Sequence, residues 1–215
     1  MRGRTTSICR ASLDGKLAVR IVRASDCRTT PWKNGGGSTT EIAVEPFGAT
    51  LDHFDWRVSM ARVASDGPFS EFADIDRTLA IVKGDGLSLT IGDAAPVMLD
   101  HNSEPIRFAG DTPTSARLLA GEIIDLNVMT RRGRFEHRLQ RIRAPAHCTF
   151  DGHDMALAVA CSGNVELTLQ EGSFTLADGD TAILARAGDG PFGIVPAISA
   201  DCCLVLLREY RDQAG

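Results

Sequence analysis

The sequence predicts an all-β protein with little helix, and three observations lead there. Apolar residues recur with period two or in short runs rather than in a long helical period. Turn-forming Gly-Asp and Gly-rich stretches punctuate those runs, in a chain with 21 glycines among 215 residues. One β pattern also occurs twice, which points to two similar antiparallel units of the double-stranded β-helix, jelly-roll-like kind.

The elements can be taken in chain order. MRGRTTSICRASLDGK carries arginines but no apolar core of a signal segment, so residues 1–18 are expected to be a disordered tail. PWKNGGGSTTEI (31–42) reads as a glycine-lined bend feeding a β-branched strand, Ser38-Thr39-Thr40-Glu41-Ile42. DWRVSMARV alternates Trp56, Val58 and Met60 against Arg57, Ser59 and Ala61, two sets that face opposite sides of a sheet. TLAIVKGDGLSLTIG reads as a hairpin about Gly84-Asp85-Gly86. ELTLQEGSFTLADGDTAILA repeats that idea with turns at Glu171-Gly172 and Asp178-Gly179, and CLVLLREYR is a closing apolar strand. Short helices are expected around Pro68 to Phe72 and Gly133 to Gln140.

The repeat aligns LAIVKGDGLSLTI (79–91) without gaps on LAVACSGNVELTL (157–169). Each copy precedes a Gly-Asp turn, FAGD at Phe108 and ADGD at Ala177, and then an apolar strand, ARLLAG or TAILA. The chain accordingly divides into a unit over 19–135 and a second over 136–215 packed on it.

Composition narrows the partners. A net charge of −5 and a pI near 5.5 argue against nucleic acid, which demands a basic face. No stretch approaches the roughly 18 apolar residues of a membrane span, so no membrane association and a cytoplasmic location are expected. The six cysteines show no CxxC spacing and read as reduced, mostly buried thiols.

Several chemistries can be tested against the residues. The five histidines (53, 101, 137, 147, 153) form no HxH, and HCTFDGHD (147–154) sits in turn-like sequence, so no metal and no cofactor are expected. GxSxG is absent, and nothing suggests a nucleophile-base pair. The triple glycine beside Lys33 is not a phosphate loop, because the lysine precedes the glycines and a strand follows them. What remains is polar and cationic: Lys33, Arg57, Arg77, Arg131 and Arg132, with Asn34, Ser59 and Asn127 as directed hydrogen-bonding groups. Trp32 and Trp56 taken singly read as core residues more than as ligand platforms.

PWKNGGGSTTEI, FDWRVSMARVASDGPFSEFADIDRTLAIVKGDGL, IRFAGD and IIDLNVMTRRG, in that order, closely resemble the HutD/Ves family over about residues 20 to 135. The resemblance implies a bicupin fold, two RmlC-like double-stranded β-helix barrels in one chain, without the metal-binding histidines of other cupins. It also implies an association with histidine utilisation, with a suggested regulatory role. Carried over by position, it marks Trp32, Lys33, Asn34, Gly35, Gly36, Gly37, Trp56, Arg57, Ser59, Arg77, Asp125, Asn127, Met129 and Arg132. One departure is Ala73-Asp74 where the family usually has Pro-Gly before Ile-Asp-Arg.

The expected ligand-binding set is therefore Trp32, Lys33, Asn34, Gly35, Gly36, Trp56, Arg57, Ser59, Arg77, Asn127 and Arg132. It would hold a small carboxylated metabolite, such as urocanate or formylglutamate, in a sensing role. Lys33 and Arg57 would pair the carboxylate, Asn34 and Asn127 would orient it, and the glycines would let backbone come close. The alternative is a metal-independent isomerase or hydrolase in which Glu41 or Asp125 is the general base beside Lys33. A third reading is a scaffold docking a protein through an exposed sheet. By analogy with the fold, a homodimer is the expected assembly.

Overall fold

The structure, a computed structural model, describes residues 18–186 and 190–211. Apart from Ala18, the tail expected over 1–18 lies outside those residues. The described residues form nineteen strands and a single 3-10 turn at Ala24–Asp26. The two short helices expected from sequence are absent among them. Residues 69–72 are irregular, and 135–142 form a strand whose inner side packs Phe135, His137 and Leu139.

Four sheets stack in layers. The central six-stranded sheet has the order β2 (Arg28–Pro31), β3 (Gly37–Glu45), β4 (Trp56–Val63), β11 (Ile123–Arg131), β6 (Ile75–Lys83), β9 (Ile106–Ala109). One face packs on a four-stranded sheet, β5 (Gly67–Pro68), β10 (Thr114–Leu118), β7 (Leu87–Ile91), β8 (Val97–Leu99), through Leu79, Ile81, Leu87, Leu89 and Ile123. Its other face meets a five-stranded sheet, β1 (Ala18–Val22), β17 (Thr181–Ala185), β14 (Met155–Ser162), β19 (Asp201–Glu209), β12 (Phe135–Ile142). That sheet covers the outermost one, β13 (Ala146–Cys148), β18 (Phe192–Pro196), β15 (Val165–Leu169), β16 (Gly172–Leu176). Every pairing is antiparallel, and the sheets remain open rather than closing into barrels.

The sequence repeat is a repeat of topology. The order β4-β11-β6-β9 matches β12-β19-β14-β17, and β5-β10-β7-β8 matches β13-β18-β15-β16. The aligned segments 79–91 and 157–169 thus occupy equivalent strands. The third matched element does not, because ARLL belongs to β10, whose counterpart is β18, whereas TAILA is β17, the counterpart of β9. Similar apolar runs in adjacent strands make that slip easy. The expected Gly84-Asp85-Gly86 hairpin is also corrected: β6 pairs with β11 and β9, β7 with β10 and β8, so this turn carries the chain between sheets. The turn at Glu171-Gly172 does close a hairpin, β15 with β16. β1 falls within the first unit as the sequence divides it, yet it pairs with β17 of the second.

The contact between the two halves is apolar. Trp56, Val58, Leu126 and Val128 from the central sheet meet Leu157, Val159, Cys203, Val205 and Leu207. Four of the five described cysteines are buried free thiols, Cys148, Cys161, Cys202 and Cys203. Polar contacts cross it too: the His137 ring on β12 lies between two hydroxyls, Thr78 Oγ1 at 2.7 Å from Nε2 and Thr130 Oγ1 at 2.7 Å from Nδ1, and Arg141 of β12 donates to the Ile81 carbonyl. No helix of the described residues is long and apolar enough to cross a membrane.

Candidate functional site

Strand alternation puts Trp56 and Val58 against the second half, so Arg57, Ser59 and Ala61 face the other way. There they meet Asp125, Asn127 and Met129 of β11, Arg77 of β6, and Thr39 and Glu41 of β3, around a cavity of about 910 Å³. The register sets the floor in rows. Glu41, Ser59 and Asn127 are successive cross-strand partners, and Met129 separates Arg57 from Arg77. The bend before β3 and the loop after it form the walls with Trp32, Lys33, Asn34 and residues 48–51, and Phe69 and Phe72 close one side. A volume of this size suits a small organic ligand.

The floor is polar and buried. Arg57 Nε donates to Glu41 Oε2 at 2.8 Å and Nη1 to Ser59 Oγ at 3.3 Å. Arg77 is 4% exposed and lies against the rings of Phe69, Phe72 and Phe108, at 5.4, 5.5 and 5.1 Å from their centroids. Its Nη1 donates to the Ser70 carbonyl at 3.1 Å, while Nε has no partner. Burial lowers its pKa to about 10; Asp125 opposes that shift and Arg57 adds to it. Asp125 is 2% exposed, and burial pushes its carboxyl up to about 7 against the pull of Arg77. Its Oδ1 and the Oδ1 of Asn127 have no hydrogen-bond partner. Four cationic side chains, Arg28, Lys33, Arg57 and Arg77, face two carboxyl groups here, in a chain of net charge −5. The lining contains no His or Cys, and among the described residues no three potential metal donors converge.

Seven of the eleven expected residues line this cavity: Trp32, Lys33, Asn34, Arg57, Ser59, Arg77 and Asn127. Trp56 does not, because its strand position turns it into the contact between halves, fully buried. Arg132 does not either; it bridges Asp76 and Asp111, each at 2.8 Å, on the exposed side of the sheet. Gly35 and Gly36 do not line the cavity, and the glycines shape the bend. Gly35 has φ +73 and donates to the Trp32 carbonyl at 3.0 Å. A Cβ on Gly36 would lie 2.5 Å from Ser65 Oγ, and one on Gly37 2.1 Å from the Arg62 carbonyl oxygen and 2.9 Å from the Trp32 ring. Asn34 Oδ1 accepts from Gly36 N–H at 3.0 Å, and Trp32 Nε1 donates to Thr39 Oγ1 at 2.8 Å, so both side chains also brace this bend.

Glu41 and Asp125 enter the lining although the expected binding set omitted them. The signal was there: Asp125 and Asn127 alternate with leucine and valine inside an apolar strand, IIDLNVMT, which places both on one face. Phe69 and Phe72 carried no such signal, since they come from irregular chain with no period to read.

Two duplicated units of layered antiparallel sheets, with a polar cavity in the first, define the class of protein, and likeness to known proteins defines the family. The HutD family model matches residues 24–199, and the chain belongs to that family. It is 34% identical over 151 residues to an uncharacterized 21.2 kDa protein in the hutC 3′ region of Pseudomonas putida, covering 70% of this chain and 78% of that one. It is 38% identical over 119 residues to protein Ves of Citrobacter koseri, covering 54% of this chain and 61% of that protein. HutD from Pseudomonas fluorescens SBW25 superposes with a TM-score of 0.79 at 30% identity, over 90% of this chain and 100% of that one. The departure from Pro-Gly in ADIDR has a backbone consequence. Asp74 takes φ 59, the left-handed region that suits glycine and that Asp tolerates better than most residues.

Proposed function

We propose that this chain is a bicupin that binds a small carboxylated metabolite in the cavity of its N-terminal half, without a metal, in a regulatory or sensing role linked to histidine utilisation. The observation that carries the reading is Arg77. A guanidinium nine-tenths or more buried, held by aromatic rings and one carbonyl, keeps an unpartnered Nε at a cavity where cations outnumber carboxyl groups. An anion beside Arg77 and Arg57 would offset their mutual repulsion. The duplicated strand order supports the bicupin assignment. The link to histidine utilisation rests on family membership and on the P. putida relative's place in the hutC 3′ region. Free buried thiols fit a cytoplasmic protein, and the fold suggests a homodimer by analogy.

Titration calorimetry with urocanate and formylglutamate tests the reading. The expected result is saturable binding that falls at least about a hundredfold in Arg77→Met. Absence of binding at millimolar concentration to either compound removes the ligand assignment.

One observation favours the enzymatic alternative, an isomerase or hydrolase of such a metabolite. Asp125 is a cavity carboxyl poised near neutrality, the property a general base needs, whereas Glu41 is held in an ion pair by Arg57. Turnover of a bound ligand, lost in Asp125→Asn with binding retained, would establish that alternative.

A further inference from the structure

Resting on the carboxylate-cavity reading, we propose that Asp125 and Asn127 form an acceptor subsite that selects carboxylates also bearing an N–H donor, such as an amide, imidazole or ammonium nitrogen. The two side chains sit two residues apart on β11, so they project from the same face into the same cavity. Both are nine-tenths or more buried, and each keeps an oxygen without a partner. Buried acceptors left unpaired are costly, and the interior between the sheets offers no reason to keep them. Immediately beyond them the same space is filled by Leu79, Ile81, Leu87 and Ile123, so apolar residues at 125 and 127 would have continued the core. An acidic group is also the wrong choice for a pocket whose whole task is to attract an anion.

The cations and the acceptors start from different rows but adjoin: Arg57 reaches Ser59 and Glu41 in the row of Asn127, and Arg77 lies near enough to Asp125 for their charges to interact. Arg57 and Arg77 flank Met129, whereas Asn127 and Asp125 lie one and two steps further along β11, about 7 Å per step. A ligand with a carboxylate on the guanidiniums and a donor nitrogen on Asn127 or Asp125 meets both sets. A carboxylate lacking that nitrogen leaves the acceptors unpaired and sets its own charge near Asp125. Sites built to hydrogen-bond a ligand reject the analogue without the donor strongly.

The test uses matched probes on the full chain by calorimetry at pH 7.5: N-acetylglutamate against its ester isostere 2-acetoxyglutarate, imidazole-4-acetate against phenylacetate, and glutarate as a plain dicarboxylate. The expected result is that the N–H member of at least one pair binds about tenfold or more tightly than its partner. That preference should collapse to within about twofold in Asp125→Leu and survive in part in Asp125→Asn, which keeps an acceptor. If glutarate or the donor-free partners bind as tightly as the N–H probes, the acceptor subsite is refuted while the carboxylate reading stands. If no probe binds, both are refuted. A preference unchanged in a folded Asp125→Leu protein assigns the selectivity elsewhere and also overturns the proposal.

Discussion

Replacing Asp125 by Asn should stabilise the protein by an amount that grows as pH rises from about 4 to about 7. The carboxyl has a folded-state pKa of about 7 against an ordinary 3.8 because it is buried, with Arg77 compensating only in part. A raised folded-state value favours the fold below about pH 3.8, where both states are protonated, and that advantage is lost as pH rises through about 7. Three pKa units correspond to about 4 kcal/mol over the whole window, more than half of it between pH 5 and pH 8. The asparagine keeps the shape and does not ionise, so any loss of packing it causes is the same at every pH. Urea denaturation of both proteins at pH 5 and pH 8, followed by circular dichroism, gives the result as a difference of differences. Titration of His137 cancels, being common to both chains. The stability gain of Asp125→Asn should be larger at pH 8 by about 2 to 3 kcal/mol. A gain independent of pH would refute the argument that this carboxyl is held out of water at a cost.

Two further outcomes follow from the same kind of reasoning. Burial lowers His137 to about 4 from its ordinary 6.5, so the fold loses about 3 kcal/mol as pH falls from about 6.5 through 4; this loss should be missing in His137→Asn, read as Tm against pH. Gly37→Ala should cost about 2 to 3 kcal/mol and change the near-ultraviolet signal of Trp32, because its Cβ would lie 2.1 Å from a carbonyl oxygen and 2.9 Å from that ring; an unchanged melt would show that the bend can shift.

The alternation in DWRVSMARV was legible to the residue: Arg57, Ser59 and Ala61 share the cavity face, and Trp56 and Val58 the other. Trp56 enters the expected binding set through a motif, which names residues without saying which face of a strand each takes, whereas the residue alone reads as core and is fully buried. Arg132 was misassigned because residues past a strand end lose the period-two rule; it turns outward to Asp76 and Asp111. Gly36 and Gly37 read as available for ligand approach, yet neighbours along the chain and across the sheet fill that space, and Gly35 is open but takes a positive φ. Sheet membership was the least legible property. β6 and β7 read as a hairpin because nothing local distinguishes a turn within one sheet from a turn between two. The cage around Arg77 depends on Phe69 and Phe72 from irregular chain and on Phe108 from an edge strand, a convergence without local pattern.

The pairing of β1 with β17 has a consequence for the order of folding. Just after β1, Arg23 reaches Asp180 at 2.7 Å, a contact spanning 157 residues. During synthesis β1 therefore emerges long before its partner exists, and it stays unpaired until Thr181–Ala185 have followed. Contacts of such sequence separation slow folding, since a large loop must close before they contribute. The second half completes its central sheet only by taking back the start of the chain, so the two halves are tied into one cooperative unit despite their duplicated design.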